Sequence, residues 1–147
     1  MTRLWLAAVV FLLLFFYSCE EARNDPDLAA SLEGEWKVEE MSSQYKSRLQ
    51  EEVYYVEISM SPEDSTILYI SNFYNVNPDA QVVANLEGTR LNLMADQQIT
   101  RFQSTYTVKG GTGEIATDYQ SISWEYQVDD GSGMVDDVTA IYTRADK

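Results

Sequence analysis

Histidine is absent from the 147 residues, and cysteine occurs once. The first absence removes the commonest general base and the commonest transition-metal ligand. The second excludes an intrachain disulfide and a cysteine-rich zinc site. Without histidine, neither a Ser-His nor a Cys-His nucleophile can be assembled. Positive charge is also scarce, with 10 Lys+Arg against 24 Asp+Glu and a net charge of -14. Phosphate binding needs clustered cations, so nucleic acid is not an expected partner, and an anionic membrane surface would repel the chain. Neither an enzyme nor a cofactor is expected. The length suits one domain with a core large enough to fold alone.

Long apolar runs are lacking, with one exception at the start. Met1-Thr2-Arg3 precedes fourteen apolar or aromatic residues from Leu4 to Tyr17, and then Ser18-Cys19. The run is shorter than the roughly 20 residues that span a bilayer as a helix. A charged start, a short apolar stretch and a small residue before the cut describe a secretory signal peptide over 1–18. Phe16-Tyr17-Ser18-Cys19 resembles the lipobox of bacterial lipoproteins. The resemblance implies cleavage before Cys19, acylation of that cysteine with chains such as palmitate, and attachment to the bacterial outer membrane through the lipid alone. Phe16 and Tyr17 are bulkier than that family's usual residues, whereas Ser18 and Cys19 fit. Residues 19–31 then read as the lipidated Cys19 and a disordered acidic tether, too polar to bury itself. Glu20-Glu21 also resembles the acidic signals that send some lipoproteins to the cell surface. A plain solvated linker fits the same residues, so periplasmic and surface positions both stay open.

Residues 32–147 predict one all-β domain, an antiparallel barrel of about eight or nine strands. The clearest strand is 121–128, where Ile122, Trp124, Tyr126 and Val128 alternate with Ser121, Ser123, Glu125 and Gln127. Such alternation means one buried and one wet face. Its hairpin partner is 135–143, reached through Asp129-Asp130-Gly131-Ser132-Gly133. Further strands are expected at 35–41, 53–60, 66–74, 80–87, 90–94, 103–109 and 112–116, with Gly110-Gly111 as the turn between the last two. Tyr45 and Leu49 share a helical face, which predicts a short helix or lid at 43–52, after the first strand.

Leu32-Glu33-Gly34-Glu35-Trp36 resembles the Leu-x-Gly-x-Trp signature at the start of lipocalins and related calycin barrels. Over nearly the whole remaining chain the wording is similar to small lipocalin-like lipoproteins of Gram-negative envelopes. That resemblance implies a barrel closed by Gly34, Trp36 and a basic residue of the last strand, here Arg144, lying across the indole. It also implies a small hydrophobic or amphipathic ligand, in a cavity lined by Tyr106, Trp124, Tyr126 and Tyr142. The domain is short for a ligand carrier, and its aromatic side chains could equally fill the interior. The alternative is therefore a packed barrel that acts as a protein- or glycan-interaction module.

Lys46 and Arg48, with Lys37 upstream, suggest a portal for an anionic ligand, although a solvated helix face explains them as well. Asp129, Asp130, Asp136 and Asp137 could offer oxygens to Ca²⁺. Their spacing does not match an EF-hand loop and the turn already explains Asp-Gly, so no metal site is assigned. Gly110-Gly111-Thr112-Gly113 lacks the following helix that a phosphate loop requires.

Overall fold

The computed structural model describes residues 26–43 and 52–145. Helix α1 (Pro26–Leu32) leads into nine strands: β1 (Gly34–Ser42), β2 (Glu52–Met60), β3 (Ile67–Ser71), β4 (Gln81–Glu87), β5 (Arg90–Leu93), β6 (Gln97–Arg101), β7 (Ser104–Ile115), β8 (Ser121–Asp129) and β9 (Val135–Arg144). All described pairings are antiparallel. The sheet runs β5-β4-β3-β2-β1-β9-β8-β7, and a β5–β7 pairing joins its two ends. The result is a closed eight-stranded, up-and-down barrel with no open edge in the ring. The ninth strand, β6, follows β5 along the same edge of β7, displaced at Asp96, whose φ is 57°.

Period-2 alternation decides which residues enter the core. Along β8, Ile122, Trp124, Tyr126 and Val128 are buried while Ser123, Glu125 and Gln127 are exposed. Along β9, Asp136, Val138, Ala140 and Tyr142 face inward. One end of the barrel, the floor, is covered by α1. Pro26 supplies a φ suited to a first helical position, and Leu28, Ala29 and Leu32 are buried. The end where β1 finishes and β9 begins is the mouth.

Three expectations change, and one lies outside the described residues. Residues 26–31 read as tether, yet they are helical, because α1 has an apolar face and a floor to bury it against. The helix expected at 43–52 falls almost wholly on 44–51, outside the described residues, and α1 precedes β1. The 66–74 strand ends at Ser71, where Asn72, Tyr74 and Asn75 take positive φ around the 3₁₀ turn Phe73–Asn75.

The third change is at the glycines. Gly110 and Gly111 are not a turn; they lie inside the single strand β7. A bulge between Val108 and Gly110 shifts the register against β8. Beyond it the backbone passes under two large rings. A Cβ on Gly113 would lie 2.8 Å from the Trp124 indole, and one on Gly111 would lie 2.3 Å from Tyr126 Cβ. Strand β6, which the sequence does not predict, has Ile99 as its one buried residue. Its start is tied to β4 by a side chain: Gln97 accepts from Val83 N (2.6 Å) and donates to Val83 O (2.9 Å) and Met94 O (2.8 Å). The amide acts as one rung of a ladder where backbone pairing stops.

Candidate binding site inside the barrel

The floor is built around Trp36. Its indole is fully buried and donates to Leu32 O at 2.9 Å. Register places Arg144 opposite Trp36, and the guanidinium carbon lies 5.0 Å from the ring centroid. Arg144 also donates to Ser31 O (2.8 Å) and Leu32 O (3.2 Å). These are orphan carbonyls at the C-terminus of α1, where a cation meets the negative end of the helix. Gly34 has φ +120°, a conformation that a side chain would strain. Gly34, Trp36 and Arg144 therefore sit together where the first and last strands pair. The pair locks both strands to the helix below.

Above the floor the register stacks interior residues in rows. Trp124, Ala140 and Glu40 form one row across β8, β9 and β1. Ile122, Tyr142, Val38 and Tyr54 form the row beneath. Glu40 shares the inward parity of Trp36 and Val38, which places a carboxylate among aromatic rings. Its Oε2 accepts from Tyr54 Oη (2.6 Å) and Tyr126 Oη (2.5 Å). Two phenols on one carboxylate oxygen replace much of the hydration that burial removes. Trp124 and Tyr142 pack at 5.7 Å between centroids. Trp124 Nε1 is buried and has no hydrogen-bond partner among the described residues, whereas the equally buried Tyr142 hydroxyl interacts with that of Tyr54. An orphaned donor in the interior costs free energy unless something meets it.

Nearer the mouth, Asp136 is 4% exposed. Its Oδ2 accepts from Ser42 Oγ (2.5 Å) and Tyr74 Oη (2.8 Å), and its Oδ1 from Ser43 Oγ (3.0 Å). The Tyr74 bond anchors the β3–β4 connection over the opening. Phe73 of that segment is fully buried, its ring 4.8 Å from that of Tyr126. Tyr106 is half-buried there, edge-on to Tyr74 at 6.0 Å.

Of the four residues expected to line a cavity, Trp124, Tyr126 and Tyr142 meet in the interior, and Tyr106 stands apart at the mouth. The four aspartates do not converge: Asp136 faces inward, Asp137 meets Gln127 outside, and Asp129 and Asp130 accept backbone N–H bonds in their own turn. Cys19, Lys46 and Arg48 lie outside the described residues. Nothing in the sequence analysis points to Glu40, Phe73 or Tyr74 as site residues. For Glu40 the signal exists, since it lies at even spacing from Trp36 and Val38 in β1.

Burial, the largest cause, pushes the phenols of Tyr54, Tyr126 and Tyr142 well above the usual 10.0, and the Glu40 charge raises each further. The unfolded chain ionises these phenols near pH 10, while the fold holds them neutral. Their contribution to stability is complete below about pH 10 and falls as pH rises, by about 1.4 kcal/mol per unit for each tyrosine. Phenolate absorbance of these three should therefore appear together with loss of circular dichroism above pH ~10. Smooth ionisation of all tyrosines in a still-folded barrel would contradict that burial.

The chain matches no protein-family model, and a search of the curated proteins finds no match. Fold and site together define a closed eight-stranded antiparallel barrel with an aromatic interior around the hydrogen-bonded carboxylates of Glu40 and Asp136.

Proposed function

We propose that this is a lipocalin-like, lipid-anchored envelope protein that binds a small hydrophobic or amphipathic molecule inside its barrel without catalysis. The observation that carries the binding reading is the buried Trp124 Nε1, a donor with no acceptor among the described residues. A bound molecule with an acceptor in that neighbourhood would satisfy it. The anchor rests on the Ser18-Cys19 sequence and its apolar leader, and Cys19 would hold the protein on the outer membrane through acyl chains. A second reading, a protein- or glycan-interaction module, is favoured by Phe73, which packs onto Tyr126 inside the mouth.

Expression in a Gram-negative envelope with labelled palmitate tests both parts. Label that survives denaturation and disappears in Cys19→Ala is the expected sign of the anchor. For the binding reading, residues 20–147, which keep every described element, are examined by native mass spectrometry. An adduct that is lost on unfolding is the expected result. A mass that stays apo after incubation with fatty acids, alcohols and amides would transfer the assignment to the interaction module.

A further inference from the structure

We infer that residues 72–80, which join β3 to β4 across the mouth, form a displaceable plug: Phe73 holds the place that the apolar end of a ligand takes, and binding requires this strap to swing out. The inference rests on the binding reading above and adds how a filled mouth admits a ligand.

The strap turns its apolar residues inward, unlike two other connections at the mouth. Phe102 in the β6–β7 turn and Met134 in the β8–β9 turn are exposed, whereas Phe73 and Val76 are 0% and 4% exposed. The Phe73 ring lies 4.8 Å from that of Tyr126, which faces inward in the same row as Val138. A benzyl group therefore occupies the aromatic position that an apolar molecule entering from the mouth meets first.

The strap is also separable from the wall. Ser71 opposes Gln81 at the end of the β3–β4 ladder, so residues 72–80 can move as one loop while that ladder stays intact. Asn75 N donates to Asn72 O, Val76 N to Phe73 O and Ala80 N to Asn77 O. These bonds are internal and travel with the loop. Side chains tie it to the barrel: Asn72 Nδ2 donates to Tyr55 O (2.8 Å), Asn77 Nδ2 to Thr100 O, and Tyr74 Oη to Asp136 Oδ2 (2.8 Å).

Its backbone is strained while it is in place. Asn72, Tyr74 and Asn75 have φ of 57°, 56° and 49°. Asparagine tolerates the left-handed region, but tyrosine rarely adopts it. Burial of Phe73 and the bond to Asp136 hold Tyr74 there, and lifting the strap would release that strain. A two-state element of this kind exchanges one apolar occupant of the mouth, its own phenyl ring, for another of similar size.

Thiol labelling and dye binding on residues 20–147 test the plug. This chain lacks Cys19, so Val76→Cys places a single thiol on the strap and Val38→Cys a single thiol in the wall, both at buried sites. Without urea, Val76→Cys should react at least about a hundredfold faster than Val38→Cys, because lifting the strap is a smaller opening than unfolding the barrel. Tyr74→Phe keeps the ring and removes the bond to Asp136. It should speed labelling of Val76→Cys about tenfold. The uncharged fluorophore N-phenylnaphthylamine, which would bind the open form, should then bind Tyr74→Phe about tenfold more tightly than the unaltered chain. Trp36→Phe, a destabilising change at the floor, should leave dye affinity within about twofold, and urea midpoints show that each variant folds. Equal labelling at Val76→Cys and Val38→Cys would mean that the strap leaves only when the barrel unfolds, which overturns the plug. Unchanged dye affinity in Tyr74→Phe overturns it as well and leaves the binding reading standing. Dye bound by no variant, Tyr74→Phe included, removes the binding reading and the plug with it.

Discussion

Gly111→Ala should lower the stability of the barrel by about 3 kcal/mol or more, a large effect for one methyl group. The added carbon would lie 2.3 Å from Tyr126 Cβ, 2.5 Å from Glu125 O and 2.7 Å from Tyr126 Cα. Two of these atoms are backbone and the third is a Cβ fixed to it, so no rotamer change relieves the clash. Strand β8 must move, and it carries Trp124 and Tyr126 with it. The same bulge region also joins β7 to β5, closing the ring, so the displacement is not confined to a surface loop. Gly88→Ala is the natural control. Gly88 has φ +60° with nothing within 4 Å of an added Cβ, so only the left-handed backbone is strained, at about 1–2 kcal/mol. Urea melts of both variants would separate the two causes. Equal losses would mean that β7 and β8 are not as closely apposed as the register requires.

Trp36→Ala should cost about 4 kcal/mol, in the range for emptying a fully buried aromatic site. Beyond the lost packing, Leu32 O loses its indole donor and Arg144 loses the face it lies across. The helix α1 is then held by Arg144 alone at its C-terminus and by the apolar contacts of Leu28, Ala29 and Leu32. Hydrogen exchange at residues 28–32 should accelerate more than exchange in β4, which does not touch Trp36 through any described hydrogen bond. Trp36→Phe keeps a ring but not the N–H, and should cost clearly less, about 1–2 kcal/mol. If alanine and phenylalanine variants melt alike, the hydrogen bond to α1 outweighs the packing, and burial of the indole is not what holds the floor.

Both predictions depend on features of unequal legibility. Trp36 stood out in the sequence because Gly-x-Trp at a domain start is a recognisable spelling, and Arg144 because it ends the last alternating segment. Gly110-Gly111 by itself predicts a turn, since Gly-Gly between two polar stretches is ordinary turn chemistry. What overrides it lies on another strand: Tyr126 and Trp124 need room, and only a glycine backbone can pass beneath them. Likewise Pro26–Leu32 is only seven residues long, and nothing local requires it to be a helix. It is ordered by burial of Leu28, Ala29 and Leu32 against a floor made from residues far along the chain.

What this sequence determined by itself is whatever repeats along the chain. Alternation at period two set the strands β8 and β9, their inward faces and hence the all-β class, because that pattern is local and one slip would turn every side chain over. The tertiary structure alone decided which inward residues meet. Glu40 with Tyr54 and Tyr126, Asp136 with Tyr74, and Trp124 with Tyr142 become neighbours through ring closure and register across several strands. No spacing within a single strand encodes those encounters, since cross-strand distance is a property of the closed sheet and not of the chain.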